Sequence, residues 1–124
     1  MKNAKVLIVG IGGLGSPISL YLTAAGVGQI GLIDDDIVSK SNLQRQILYT
    51  EAEIGQSKVE CACRRLSALN SSTRFETYPN RFTPDNANRL VSAYDIIVDG
   101  CDNAATRYLI DDVCSRFKKP YVYG

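Results

Sequence analysis

Short unbroken apolar runs alternate with amphipathic stretches along this chain, and glycine or proline marks most of the junctions. KVLIVG (residues 5–10) is a continuous β-branched and leucine run closed by glycine, the pattern of a strand buried on both faces. In the segment that follows, Leu14, Ile18, Tyr21 and Leu22 recur at helical spacing until Gly26 and Gly28 stop the helix. QIGLID (29–34) predicts a second strand. Residues 57–70 predict a helix with Val59, Cys63, Leu66 and Leu69 on one face. RFETYP (74–79) reads as an alternating strand closed by Pro79, residues 84–93 as a short helix, YDIIVDG (94–100) as a fourth strand, residues 103–119 as a helix and PYVYG (120–124) as the start of a fifth strand. The stretch 35–56 has no clean period, and long irregular segments within compact domains are usually functional.

Strands alternating with helices imply βαβ crossovers. The expected architecture is therefore α/β, a Rossmann-like, doubly wound, mainly parallel sheet truncated after its fifth strand. The 124 residues suffice for one domain, spanning 1–124, and are too few for two. Hydrophobic content of 45% and charged content of 22% are those of a globular protein, and a net charge of +1 favours neither nucleic acid nor an anionic membrane. No apolar run approaches the length of a membrane span, and the opening MKNAKVLIVG leaves no room for a signal peptide, so a soluble cytoplasmic protein is expected.

Four cysteines, at 61, 63, 101 and 114, lack C-x-x-C spacing, and the chain has no histidine to complete a mixed zinc site. Cys61, Cys63 and Cys114 fall on predicted helices and are expected to be reduced structural thiols. The absence of histidine also removes Ser-His-Asp and Cys-His schemes. Any reaction here must use a nucleophile that needs little deprotonation, or a carboxylate or lysine as base.

Gly10, Gly12 and Gly15 satisfy G-x-G-x-x-G between a predicted strand and helix, and Gly13 removes one more side chain. Such a turn lets a phosphate approach the backbone and the N–H groups of the helix N-terminus. Asp34 follows Gly15 by 19 residues and ends the second strand, where a nucleotide-binding domain places the carboxylate that holds a ribose hydroxyl; Asp36 could share that role. Asp35 reads as a solvated loop residue. DGCDN (99–103) closes the fourth strand. In a 3-2-1-4-5 strand order, strands 1 and 4 flank the topological switch point, so the glycine turn, Asp34 and Asp102-Asn103 converge on one crevice. A carboxylate facing phosphate needs a cation between them, which makes Asp102 a Mg²⁺ ligand, or else a cap of the following helix. Arg45 and Lys58 would supply the positive charge that a polyphosphate requires.

GIGGLG, DDDIVSKSNLQRQ, Lys58 and CDNAATR, in this order and spacing, resemble the ThiF/MoeB/HesA family, relatives of the ubiquitin-activating enzymes, with the closer likeness to ThiF. The resemblance covers essentially the whole chain. It implies an ATP-binding adenylation domain that uses ATP and Mg²⁺ to adenylate the C-terminal glycine of a ubiquitin-like sulfur carrier protein ending in Gly-Gly. The carrier would be ThiS-like, of thiamine biosynthesis, or MoaD-like, of molybdopterin biosynthesis. It implies that Gly13 lies against the nucleotide and Asp34 on the ribose. Ser41, Asn42, Leu43, Gln44 and Arg45 would line the ATP site, with Asn42 and Arg45 on the phosphates. Lys58 would contact phosphate, Asp102 would hold Mg²⁺ and Asn103 would sit beside it. Arg45, Lys58 and Asp102 are then the catalytic residues.

Family members are homodimers with an N-terminal helix before the first strand, further strands that grip the carrier, and paired C-x-x-C motifs for structural zinc; this stretch contains none of these, and Asp111 stands where many relatives have asparagine. Two other readings stay open: a non-catalytic nucleotide-binding module, and a nicotinamide-dependent oxidoreductase. The second shares the glycine turn and Asp34 but has no use for Asn42, Arg45, Lys58 and Asp102 around one crevice.

Overall fold

The computed structural model describes residues 3–11, 15–37, 52, 54–101 and 104–123, and of 15, 16 and 123 the backbone alone. Among the described residues five strands and four helices alternate: β1 Lys5–Val9, α1 Gly15–Ala24, β2 Gln29–Ile33, α2 Lys58–Leu69, β3 Arg74–Tyr78, α3 Pro84–Ala93, β4 Ile96–Asp99, α4 Ala104–Phe117 and β5 Tyr121–Tyr123. The strands form one sheet in the order β3-β2-β1-β4-β5, every pairing parallel. This is the expected doubly wound sheet, with its switch point between β1 and β4.

The continuous apolar run of β1 is explained by what covers it. Val6 and Ile8 pack into a core with Ile30, Leu32, Val59, Ala62 and Leu66, partly covered by α1 and α2. Leu7 and Val9 point the other way, into a core with Ile33, Leu90, Val91, Ile97, Ile110 and Val113 beneath α3 and α4. Successive side chains of a strand alternate faces, so a strand with helices on both sides must be apolar at every position.

Periodicity misassigned parts of two helix faces. Tyr21 is exposed; α1 instead turns Ser19 and Thr23 fully inward, where Thr23 Oγ1 donates to the Ser19 carbonyl at 2.8 Å. Small hydroxyl side chains satisfied by the preceding turn let α1 lie close to the sheet. On α2, Leu69 is half exposed and Cys63 only half buried, while Val59, Cys61, Ala62 and Leu66 face inward. The fourth strand is shorter than predicted. Tyr94 ends α3, its N–H reaching the Val91 carbonyl, and Asp95 turns its carboxylate to the Lys5 N–H at 3.0 Å. Cys61, Cys63 and Cys114 are free thiols, as expected, as is Cys101, and burial pushes the Cys114 thiol up to about 11, with Asp111 adding to the shift. Asn70 sits at the end of α2 and spends its side chain there, donating to the Thr23 carbonyl and accepting from Ser72.

Gly31, in the middle of β2, is required by its neighbour. A Cβ there would lie 2.3 Å from the hydroxyl oxygen of buried Tyr94. Burial, reinforced by the 3.0 Å hydrogen bond to Tyr78, pushes the Tyr94 hydroxyl well above the ordinary phenol value, so it stays protonated. Gly31→Ala should cost about 1–3 kcal/mol by overpacking against a ring that cannot swing away. Urea denaturation checks this. Combining it with Tyr94→Leu should be less damaging than the sum of the two changes, because the second removes the obstacle.

Candidate functional site

The carboxyl ends of β1, β2 and β4 lie side by side, because Val9 is in register with both Ile33 and Asp99. The chain leaves β1 through Gly10, whose φ of +94° is reached easily only by glycine. Its N–H donates to the Ile33 carbonyl at 2.9 Å, and a Cβ at this position would sit 2.9 Å from the backbone of Gly100 and Cys101. Gly100 donates its own N–H to the Val9 carbonyl at 2.8 Å. The glycine turn is therefore wedged between the ends of β2 and β4.

Asp34 ties that turn to β2. One carboxylate oxygen accepts the Ile11 N–H at 2.7 Å, and the other accepts the Asp36 N–H at 2.8 Å. Each oxygen keeps further acceptor capacity towards solvent. Asp34 thus shapes the turn, a task that spacing alone did not reveal. Its own N–H reaches the Tyr78 carbonyl at 3.3 Å, which joins the end of β3 to the same corner.

Lys58 opens α2 and is buried, its backbone N–H on the Asp36 carbonyl at 3.1 Å and its ammonium 3.9 Å from the exposed Asp36 carboxylate. A helix N-terminus carries partial positive charge, so it is an unfavourable place for a buried cation unless anions are gathered there. Asp36 serves as that counter-ion, and Asp35 pairs with Arg81 at 3.5 Å. The oxygens of Asp34, Asp35 and Asp36 lie within 4.8 Å of one another, close enough to hold a metal. Asp34 receives two backbone donors, while Asp35 and Asp36 each face a cation, so the triplet serves as the scaffold of the corner.

Among the described residues only Lys58 and Asp99 are buried charges. Asp99 ends β4 and is neutralised by Arg107 of α4, with Nε at 3.1 Å. This pair went unassigned at the level of residue pattern; the arginine that closes C-D-N-x-x-x-R was its one visible sign. The structure brings together Gly10, Asp34, Asp36 and Lys58, and α1 begins at Gly15. Gly12, Gly13, Ser41, Asn42, Leu43, Gln44, Arg45, Asp102 and Asn103 lie outside the described residues.

A doubly wound α/β domain that turns through glycine at the end of its first strand and places a carboxylate at the end of its second has the architecture of the nucleotide-binding class. The chain belongs to the ThiF family, whose model matches residues 1–124. It is 49% identical over all 124 residues to the probable adenylyltransferase/sulfurtransferase MoeZ of Mycobacterium tuberculosis, spanning 32% of that protein. It is 48% identical, again over its whole length, to the sulfur carrier protein adenylyltransferase of Thermus thermophilus, spanning 46% of it. The chain thus covers less than half of either relative. Among solved structures, the tRNA N6-threonylcarbamoyladenosine dehydratase TcdA of E. coli superposes with a TM-score of 0.94 at 32% identity, over 98% of this chain and 52% of that one. TcdA has also been solved in complex with AMP and with ATP. No described helix is long and apolar enough to cross a membrane.

Proposed function

We propose that these residues are the nucleotide half of an adenylyltransferase. It binds ATP at the carboxyl ends of β1, β2 and β4 and transfers AMP to the C-terminal carboxylate of a ubiquitin-like sulfur carrier protein. The observation that carries this reading is the buried lysine at the start of α2, held beside the acidic end of β2, which Asp34 ties to the glycine turn at Ile11. The names of the two relatives, one an adenylyltransferase and sulfurtransferase and the other a sulfur carrier protein adenylyltransferase, support the acceptor. The AMP and ATP complexes of TcdA, whose name gives a tRNA nucleoside as substrate, support the nucleotide independently of the acceptor.

The chemistry suits a chain without histidine. A C-terminal carboxylate, with a pKa of about 3.3–3.7, is ionised at neutral pH and attacks the α-phosphorus without a general base. One oxygen–phosphorus bond forms and the bond to the departing pyrophosphate breaks. The protein's task is to bring two anions together and align them. In this reading the free acceptor capacity of Asp34 takes a ribose hydroxyl, with Asp36 beside it. Gly10, Gly12, Gly13 and Gly15 let the backbone approach the phosphates. Ser41 to Arg45 and Lys58 surround the phosphates, and Asn103 flanks Asp102. Magnesium fits the donor set, since Asp102 is a hard oxygen ligand and Asp99, its neighbour in the chain, is already neutralised by Arg107. Bound there by Asp102, magnesium would supply charge neutralisation on the phosphates.

The finer reading is a ThiS-like carrier of thiamine biosynthesis and a homodimeric complete protein, with a MoaD-like carrier of molybdopterin biosynthesis as the alternative. Pyrophosphate exchange into ATP, run with Mg²⁺ and carriers of each type ending in Gly-Gly, tests all of this on wild type beside Asp102→Ala. Carrier-dependent exchange lost in the variant is the expected result, and the carrier that supports it identifies the pathway. ATP binding without exchange would reduce the chain to a binding module. NAD binding indifferent to Mg²⁺ would point to an oxidoreductase instead.

A further inference from the structure

Resting on that nucleotide reading, we infer that Asp99 and Arg107 are positioning residues that fix the exit of β4 at Cys101, from which the chain runs into the C-D-N segment that this reading assigns to the metal. The Asp99 side chain is fully buried, and its hydrogen bonds go to Cys101, just past the end of β4, and to Arg107 of α4. One carboxylate oxygen accepts the Cys101 N–H at 3.1 Å and the Cys101 thiol at 2.7 Å. The other accepts Arg107 Nε at 3.1 Å. Arg107 closes the ring, because its Nη2 donates to the Cys101 carbonyl at 3.2 Å. Cys101 is thereby held through its N–H, its thiol and its carbonyl at once. Gly100, one residue before, is bonded to Val9 and braces Gly10, while α4 begins at Ala104. The clamp consequently brackets the two positions, 102 and 103, that the nucleotide reading places at the metal and phosphates.

The chemistry of the pair suits orientation better than stability. A buried carboxylate and its cation roughly offset their own desolvation, so such a pair adds little net stability over an apolar one. It does impose geometry. The guanidinium is a rigid fork that reaches a carboxylate and a carbonyl together, and an ammonium cannot span both. Asp99 itself is fully buried and turned into the clamp, so its part in this arrangement is orientation.

Arg107→Lys in the full-length protein is the deciding variant. It keeps a cation for Asp99, whereas Arg107→Met strands a buried charge and can unfold the chain. Three measurements are made: amide hydrogen exchange across 99–104, ATP binding with and without Mg²⁺, and pyrophosphate exchange. The Cys101 amide should exchange faster in Arg107→Lys while the rest of the sheet keeps its protection. ATP affinity without Mg²⁺ should stay within about twofold, and the gain on adding Mg²⁺ should shrink by about 10–100-fold, as for residues that orient a metal ligand. Adding Arg107→Lys to Asp102→Ala should bring no further loss, because both changes act through one carboxylate. Losses that multiply, or a Mg²⁺ response like wild type despite a loosened turn, would overturn the inference. Wild type that binds Mg²⁺ and ATP but exchanges no pyrophosphate would sink the adenylation reading alone, and the Arg107 comparison would still decide. Wild type that binds no ATP overturns both.

Discussion

Lys58→Met is expected to lower carrier-dependent pyrophosphate exchange by about 10²–10³-fold, the cost of removing one preorganised charge from a site where negative charge shifts during reaction. The same change should leave the fold about as stable as before, or slightly more so. Lys58 is 4% exposed and sits at the positive end of α2, with its charge partner, the Asp36 carboxylate, 69% exposed. A buried cation so placed contributes little to folding, and an apolar side chain of similar length removes its desolvation cost. The two readouts therefore move in opposite directions, which separates function from stability. Activity and urea midpoint falling together would mean that Lys58 is a structural residue whose charge is satisfied within the protein. Unchanged activity would remove the one observation on which the proposed function chiefly rests.

Gly10→Ala should cost about 2–4 kcal/mol of stability and abolish measurable nucleotide binding. Two effects combine. A φ of +94° is strained for any residue with a Cβ, and that Cβ would stand 2.9 Å from the backbone of Gly100 and Cys101. Backbone cannot rotate out of the way as a side-chain tip can, so the β1 turn and the β4 turn would have to separate. Gly26→Ala is the control. Gly26 has a similar φ of +83°, but nothing lies within 4 Å of the place its new methyl group would take, so only the conformational cost of about 1–2 kcal/mol applies. Thermal unfolding and ATP titration of the two variants isolate the contact with Gly100. Equal losses would show that the glycine turn is not braced on the end of β4.

Much of this architecture is legible along the chain because it depends on local periodicity. Runs such as VLIV (6–9) and IIV (96–98) are apolar at every position only if helices cover both faces of the sheet, and the structure places α1 and α2 on one side and α3 and α4 on the other. The glycine turn and Asp34 were equally visible, since their spacing follows from one strand-turn-helix-strand unit. The helix faces were legible only in part. Period 3.6 says which side chains share a face, but Tyr21 is exposed while Ser19 is buried, and Leu69, the last residue of α2, is half exposed while Cys61 and Ala62 are buried. The contacts that connect the corner were not legible at all. Asp34 to Ile11, Asp99 to Arg107, Tyr94 over Gly31 and Gly10 against Gly100 join residues brought together by strand order and close packing. By itself the sequence determined the element order and the parallel sheet, because hydrophobic period and glycine punctuation are local properties. Which charges are buried, which carboxylates are already occupied, and which turns hold one another were decided only by the tertiary structure, since burial and pairing are properties of neighbours in space.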